Sequence, residues 1–132
     1  MMTRRGDRGQ STVEFALVLP LVVLVVLFIV QAGFVVRDQL LVSHAAREAA
    51  RAAAVSEADR SGAALTAARQ AGELAADRLS AVASMVDGDA SVRVVISYRS
   101  TTDIAIIGAL VPDIDLESTV QMRVESDGKH RP

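Results

Sequence analysis

The most prominent pattern along the chain is a long apolar run near the N-terminus. Every residue from Phe15 to Val30 is apolar, Pro20 included, and the run resumes after Gln31 as far as Val36. As one helix, the 22 residues from Phe15 to Val36 would measure roughly 33 Å, enough to cross the hydrocarbon core of a bilayer. Pro20 removes one backbone hydrogen bond, so we expect it to kink the helix, which membrane helices tolerate. The pattern therefore predicts one kinked membrane-spanning helix.

Two helical segments are predicted beyond this span. Residues 38–55 contain no helix breaker and are rich in Ala, Leu, Arg and Glu, so we expect the membrane helix to continue outward through them. A second helix is predicted to begin at Ser56, which has capping-box spacing to Asp59, or alternatively at Ser61. Its narrow apolar stripe steps by three and four residues through Leu65, Ala68, Gly72, Ala75, Leu79, Val82 and Val86. Because these residues are mostly small, we expect the second helix to pack antiparallel on the Ala-rich stretch 45–54.

Alternating sequences toward the C-terminus predict a small antiparallel sheet. Asp87-Gly88-Asp89 is expected to end the second helix, and a strand follows in which the apolar side comprises Val92, Val94, Ile96 and Tyr98. A second strand is predicted at Thr119–Glu125, and the apolar segment Ile104–Val111 is predicted to be a strand, or a short helix or loop near the membrane. The predicted fold is α+β. It has a long N-terminal transmembrane and stalk helix, a second amphipathic helix forming a helical hairpin with it, and a C-terminal antiparallel sheet of two or three strands.

Composition and charge narrow the possible functions. The chain is 51% hydrophobic but only 3% aromatic, and its many alanines bury little area each, so a large core is not expected. A net charge of −2 does not suit a nucleic-acid-binding surface. The absence of cysteine excludes disulfides and thiolate metal sites. We therefore expect no nucleic acid, metal, cofactor or small-molecule substrate.

The charges that flank the apolar run predict its orientation. Arg4, Arg5 and Arg8 precede the run, whereas Arg37 follows it and is offset by Asp38. The positive-inside rule then puts the N-terminus in the cytoplasm and the bulk of the chain outside the cytoplasmic (inner) membrane. The predicted segments are a basic cytoplasmic leader at 1–9, a transmembrane helix at 10–36, an extracytoplasmic domain at 37–125 and a disordered tail at 126–132.

The residues just before the apolar run carry the strongest indication of function, and they read Gly9-Gln10-Ser11-Thr12-Val13-Glu14-Phe15. A carboxylate at the start of a membrane span is costly unless it finds a partner or reaches the interface. The simplest explanation is that Glu14 lies among the headgroups and favours the helix N-terminus by its charge. The segment also resembles the processing site of a type IV prepilin, in which a short basic leader and a glycine precede a glutamate at the fifth position. Cleavage after Gly9 puts Glu14 at that position, whereas cleavage after Gly6 does not.

More narrowly, the chain resembles the TadE-like family of tight-adherence (Flp) pilus systems. The resemblance covers Arg8–Val26, His44–Ala54 and, more loosely, Ser118–Glu125. It implies a non-enzymatic minor pseudopilin or assembly component, with Gly9 and Gln10 at the processing site and Glu14 and Phe15 in subunit assembly. The implied partners are the lipid bilayer, a prepilin peptidase, other pilins and pseudopilins, and TadG-like or TadF-like assembly proteins. In pilins this glutamate is thought to neutralise the terminal amine of an adjacent subunit.

Three other classes of protein remain open at this point. A cleaved secretory signal could end at Ala32, because Val30 and Ala32 suit the positions that a signal peptidase reads, although the apolar region is long for such a signal. An unprocessed single-pass scaffold of another envelope complex would keep its leader. An enzyme is the least supported class, because Ser43 and His44 are adjacent on a predicted helix and cannot face each other as nucleophile and base.

Overall fold

The computed structural model describes residues 7–88, 90–102, 108–109 and 111–124. These residues contain two α-helices, α1 (Asp7–Val55) and α2 (Arg60–Ala71), a short 3-10 helix (Ala76–Arg78), and three strands, β1 (Leu79–Val86), β2 (Ser91–Ser100) and β3 (Ile114–Arg123). The predicted α+β fold is confirmed, with a long apolar N-terminal helix, a second helix and a three-stranded antiparallel sheet. Most of the leader at 1–9, most of the apolar segment Ile104–Val111 and the tail at 126–132 lie outside the described residues.

Helix α1 joins the apolar run and the predicted stalk in one continuous element. Its 49 residues would measure about 74 Å at the usual rise per residue. Nearly all side chains from Val13 to Val30 are exposed, whereas from Gln31 onward one side of the helix is buried against the rest of the chain. The predicted continuation of the membrane helix through 38–55 is therefore confirmed. Pro20 lies inside α1, and the kink expected there stays a prediction.

The two helices pack against each other, as predicted for the stretch 45–54, and both contribute alanine to the core. The fully buried alanines are Ala45, Ala46, Ala49, Ala50 and Ala53 of α1, and Ala64 and Ala68 of α2. Alanine has no atoms beyond Cβ, so these helices can approach each other closely. Just beyond the end of α2, Glu73 accepts a hydrogen bond of 2.7 Å from Arg37, which ties the end of α2 to the part of α1 that follows the apolar segment.

Helix α2 begins at Arg60, between the two predicted starting points. Its N-cap is Asp59 rather than Ser56 or Ser61, because the Asp59 side chain accepts a hydrogen bond of 2.8 Å from the backbone N–H of Gly62. The Ser56 hydroxyl instead donates to the Asp59 carbonyl. A carboxylate at the N-cap satisfies one of the N–H groups that a helix start leaves open.

The predicted extension of the second helix to Val86 is wrong. Helix α2 ends at Ala71, Gly72 is extended, and β1 occupies 79–86. In β1 the side facing the helices comprises Leu79, Ala81, Ala83 and Met85, whereas Val82 faces outward and is 61% exposed. Asp87 and Gly88 do end an element as predicted, but that element is β1. Both residues have left-handed φ angles, 57° and 62°, which suit a turn between antiparallel strands.

Strand β2 forms the centre of the sheet, which has the order β1-β2-β3. The predicted inward side of this strand is confirmed, because Val92, Val94 and Ile96 are fully buried and Tyr98 is nearly so. Strand β3 begins at Ile114, five residues before the predicted Thr119, and Leu116, Val120 and Met122 contribute its inner face. The inner face of the sheet covers α1 and α2, so the core lies between one layer of helices and one layer of strands.

One side chain of α2 forms hydrogen bonds with the backbone at the outer edge of β1. The Ser61 hydroxyl lies 3.2 Å from the backbone nitrogen of Ala83, from which it accepts, and 3.4 Å from the Ala83 carbonyl oxygen, to which it donates. Edge strands with unpaired backbone groups invite pairing with other chains. This contact therefore protects the middle of the edge and fixes α2 against the sheet.

Candidate assembly site on the N-terminal helix

The residues predicted for processing and assembly lie together in the first two turns of α1. Gly9 and Gln10 are exposed, and a Cβ atom added at Gly9 would meet nothing within 4 Å. The side-chain amide of Gln10 donates a hydrogen bond of 3.2 Å to Oε1 of Glu14. The helix therefore brings Gln10 and Glu14 to one side, one turn apart. The Gly9–Gln10 peptide bond lies in the first turn, where helices fray.

The side chains that follow form an exposed apolar surface around α1. Phe15 is exposed, and an 18-residue window of this helix has a mean hydropathy of 3.1 with none of its residues buried. An exposed apolar surface of this extent is not stable in water and requires lipid or other helices around it. By length and composition the helix can cross a membrane, which is compatible with a single-pass membrane protein.

Among the described residues, Gln31 is the first buried residue of α1. It is 5% exposed, and its amide donates to the hydroxyl of Thr102 across 3.3 Å. About two turns further along α1, the Ser100 hydroxyl donates to the Asp38 carboxylate across 2.7 Å. The predicted transmembrane segment 10–36 therefore overlaps the base of the folded domain by about one and a half turns. Sequence reasoning treated Gln31 only as an interruption of the apolar run, although a lone amide inside such a run is itself a signal of a buried contact.

Charged side chains elsewhere in the described residues pair with each other on the surface. Arg99 donates to Asp115 across 3.1 Å, and this hydrogen bond, together with the Asp115 charge, raises the pKa of the Arg99 guanidinium above its ordinary value. Arg51 similarly pairs with Glu48 at 3.2 Å. Among the described residues, no group of three or more His, Asp or Glu side chains is arranged to hold a metal ion. These pairs explain surface structure and suggest no reaction.

Comparison with known proteins agrees with the sequence resemblance. A family model described as "TadE-like protein" matches residues 9–51, which is 43 of the 132 residues of the chain. The match begins at Gly9 and ends four residues before the end of α1, so it covers the apolar segment and most of the stalk. The third stretch of the resemblance, Ser118–Glu125, lies outside the match. No curated protein and no solved structure matches the chain. Residues 9–51 are therefore similar to the TadE-like family, as the resemblance predicted, and that family is a structural one associated with tight-adherence pili.

Proposed function

We propose that this protein is a minor pseudopilin or assembly component of a tight-adherence pilus, and that a prepilin peptidase cleaves it after Gly9. The observation that carries the proposal is the TadE-like segment 9–51, which begins at an exposed glycine and continues as an exposed apolar helix. We further propose that the span lies in the cytoplasmic membrane, with the leader in the cytoplasm and the sheet domain outside.

The geometry at the start of α1 supports a role for Glu14 in assembly. Cleavage after Gly9 would create a positive amine on Gln10, roughly 6 Å below Glu14 along the axis of the same helix. In a bundle of such helices, a small axial shift between neighbours would bring the amine of one subunit against Glu14 of the next. Two opposite charges in apolar surroundings are tolerated only as a pair, so this contact would also set the axial register. The amide of Gln10, which is neutral, contacts Glu14 in the single uncleaved chain.

The N-terminus of the mature protein tests the proposal. We expect mass spectrometry of the protein extracted from membranes to find Gln10 at the N-terminus, methylated, cyclised or unmodified. Replacement of Gly9 by leucine should leave the leader attached, because a large side chain would then occupy the residue before the cut. Gly6→Leu is the matched control, since the other leader glycine lies outside the proposed cleavage register and processing should continue.

The competing function is an unprocessed single-pass scaffold of another envelope complex. It requires the same helix and the same domain, and it differs from the pilus proposal in keeping the leader. An intact leader beginning at Met1 or Met2 in the wild-type membrane protein would support the scaffold and contradict maturation after Gly9. A new N-terminus at Gly33, after Ala32, would instead identify a secretory signal.

A further inference from the structure

The side of α1 that faces away from α2 and the sheet carries a continuous stripe of exposed residues. This outer stripe consists of Gly33, Val36, Leu40, His44, Arg47 and Arg51, all of which are exposed. Successive members are three or four residues apart, which places them on one face of a helix. The opposite face carries the buried contacts, represented by Val42, Ala49 and Ala53. The outer stripe is therefore the one face of the stalk that the described residues of the chain leave uncovered along its whole length.

The outer stripe is apolar near the membrane and basic above it. Val36 and Leu40 are 61% and 68% exposed, although both lie beyond Gln31, where the folded domain begins. Arg47 and Arg51 follow on the same face. Among the described residues, Arg47 donates a hydrogen bond from Nε to the Ser43 carbonyl. The Arg51–Glu48 pair is surface-exposed, where such pairs contribute little. Each guanidinium has five N–H donors, so both retain donors for an acidic partner.

Two of the possible occupants do not fit this arrangement. Arg47 lies 16 residues beyond Gln31, roughly 24 Å further along the helix, and electrostatic attraction to lipid headgroups fades over about 8 Å at physiological salt. A second copy packed in parallel, stripe against stripe, would put Arg47 and Arg51 against their own counterparts, and such like charges repel. The positive charge of the outer stripe therefore favours an acidic protein surface as its binding partner.

We propose that the outer stripe binds the stalk helix of a different membrane-anchored subunit. That helix is apolar next to the membrane, opposite Val36 and Leu40. It carries aspartate or glutamate opposite Arg47 and Arg51, roughly 16 to 22 Å above the level of Val36. Because both helices extend from the same bilayer, apolar residues would face apolar residues at the base. Acidic residues of the partner would face Arg47 and Arg51 above. The inference rests on the membrane anchoring in the proposed function and names the chemistry of the assembly partner, but it does not depend on cleavage after Gly9.

Gly33 provides a steric probe of the same contact. It lies at the lower end of the outer stripe, and a Cβ atom added there would meet nothing within 4 Å in this chain. A larger side chain at this position is therefore compatible with the fold of the single chain. It would, however, prevent another helix from approaching closely, because glycine is the residue that lets two helix backbones come together.

The proposal is tested by photo-crosslinking the full-length protein in its native membrane. A photoreactive amino acid replaces Leu40, and mass spectrometry identifies the peptide attached to it. We expect an adduct to the helix that follows the single span of another protein, with an acidic residue within a few turns above the attachment point. The double change Arg47→Glu and Arg51→Glu should lower the adduct yield at least about fivefold through like-charge repulsion. Changing the acidic residues of the partner to lysine should restore the yield, and Gly33→Leu should reduce it.

Arg69→Glu is the matched control, because Arg69 is an exposed arginine on α2, away from the outer stripe, and its reversal should leave the yield unchanged. An adduct only to lipid, an adduct to a second copy of this chain, no adduct, or a yield that ignores the reversal at Arg47 and Arg51 would overturn the proposal. The N-terminus is determined in the same samples. Mature Gln10 without the predicted adduct rejects the docking surface alone, whereas the predicted adduct on an uncleaved chain rejects only the maturation.

Discussion

The free-energy cost of the Glu14 charge depends on whether lipid, water or another helix surrounds the start of α1. It precedes Gln31 by 17 residues, roughly 26 Å along α1, which is less than the thickness of about 30 Å of a bilayer core. If the domain base at Gln31 rests at one surface of the core, Glu14 lies just inside the opposite surface. A carboxylate at that depth is costly without a partner, and its recorded partner within the chain is the neutral amide of Gln10.

Removing the charge of Glu14 tests the pairing, and Glu14→Gln does so while keeping the shape of the side chain. We expect Glu14→Gln and Glu14→Ala to be cleaved normally and to reduce incorporation into pili, or pilus number, at least tenfold, because breaking a desolvated ion pair costs about 3–5 kcal/mol. Immunoblots of sheared pili, with mass spectrometry of the membrane fraction, measure both effects. Normal assembly of the Glu14→Gln protein would show that the negative charge is not needed.

Asp59 and Gly62 form a local pair, so the effect of changing Gly62 on stability should depend on whether Asp59 is present. A Cβ atom at Gly62 would lie 2.0 Å from Oδ2 of Asp59, so Gly62→Ala should displace the capping carboxylate and lose about 1 kcal/mol of cap energy. It should also gain about 0.5–1 kcal/mol of helix propensity. We therefore expect Gly62→Ala to be nearly neutral in the wild type and stabilising by about 0.5–1 kcal/mol in Asp59→Ala. Hydrogen exchange of α2 amides in detergent measures the difference, and equal effects in both backgrounds would contradict the clash.

At the scale of elements, the α1–α2 contact is distinctive because its core is nearly all alanine. Seven fully buried alanines lie on α1 and α2 in the core between the helices and the sheet, and each contributes much less apolar area than a leucine would. The contact therefore depends on close approach rather than on large side chains. Such an interface has little free volume and tolerates added atoms poorly.

Enlarging one of these alanines should destabilise the domain strongly. We expect Ala49→Leu to lower the free energy of unfolding by about 1–3 kcal/mol, because the elements packed around Ala49 must move apart to accommodate three extra carbons. Ala32→Leu is the matched control, since Ala32 is exposed on the same helix and the change should cost little. Thermal unfolding of both proteins in the same detergent, followed by circular dichroism, makes the comparison. Equal melting temperatures would mean that the helices are not closely packed at Ala49.

The second helix illustrates what local sequence could and could not predict. The stripe from Leu65 to Val86 keeps a helical period, but the period continues by coincidence from α2 into β1. In β1 the core side is made by Ala81 and Ala83 while Val82 is exposed, the reverse of the usual alternation, because the alanines face closely packed helices. The available clue was Asp87-Gly88 between two stretches rich in Val and Ser, which is a strong hairpin signal. The strand β2 was predictable because its alternation has large residues on the buried side.

The N-terminal end of the candidate site could be predicted from the sequence, whereas the contact made by Gln31 could not. The order of Gly9, Gln10 and Glu14 can be read from the sequence, and their shared position on α1 follows from helix periodicity. The contact of Gln31 with Thr102 could not be read in that way, because it joins residues 71 positions apart. It depends on how the sheet folds back onto the helix, and this tertiary arrangement leaves no local sequence pattern.

At the scale of the whole molecule, the absence of cysteine allows a clean test of topology. We expect Ser80→Cys, on the outer face of β1, to react with a membrane-impermeant maleimide added to spheroplasts. Thr3→Cys in the leader, in the Gly9→Leu background that should retain it, should react only after lysis. Labelling of the wild type provides the background, since it contains no thiol. Reaction of the Thr3→Cys protein in intact spheroplasts would reverse the predicted orientation.

Because α1 is continuous from Asp7 to Val55, rotation of its apolar segment about the helix axis is coupled to rotation of the sheet domain. A helix turns by about 100° per residue, and the contacts at Gln31 and Asp38 fix the sheet to one angular position on that helix. The side of the apolar segment against which a neighbouring helix packs therefore also determines the direction in which the sheet faces. One residue inserted into the apolar segment would leave the domain folded but turn it by about a quarter of a revolution, toward the wrong neighbour.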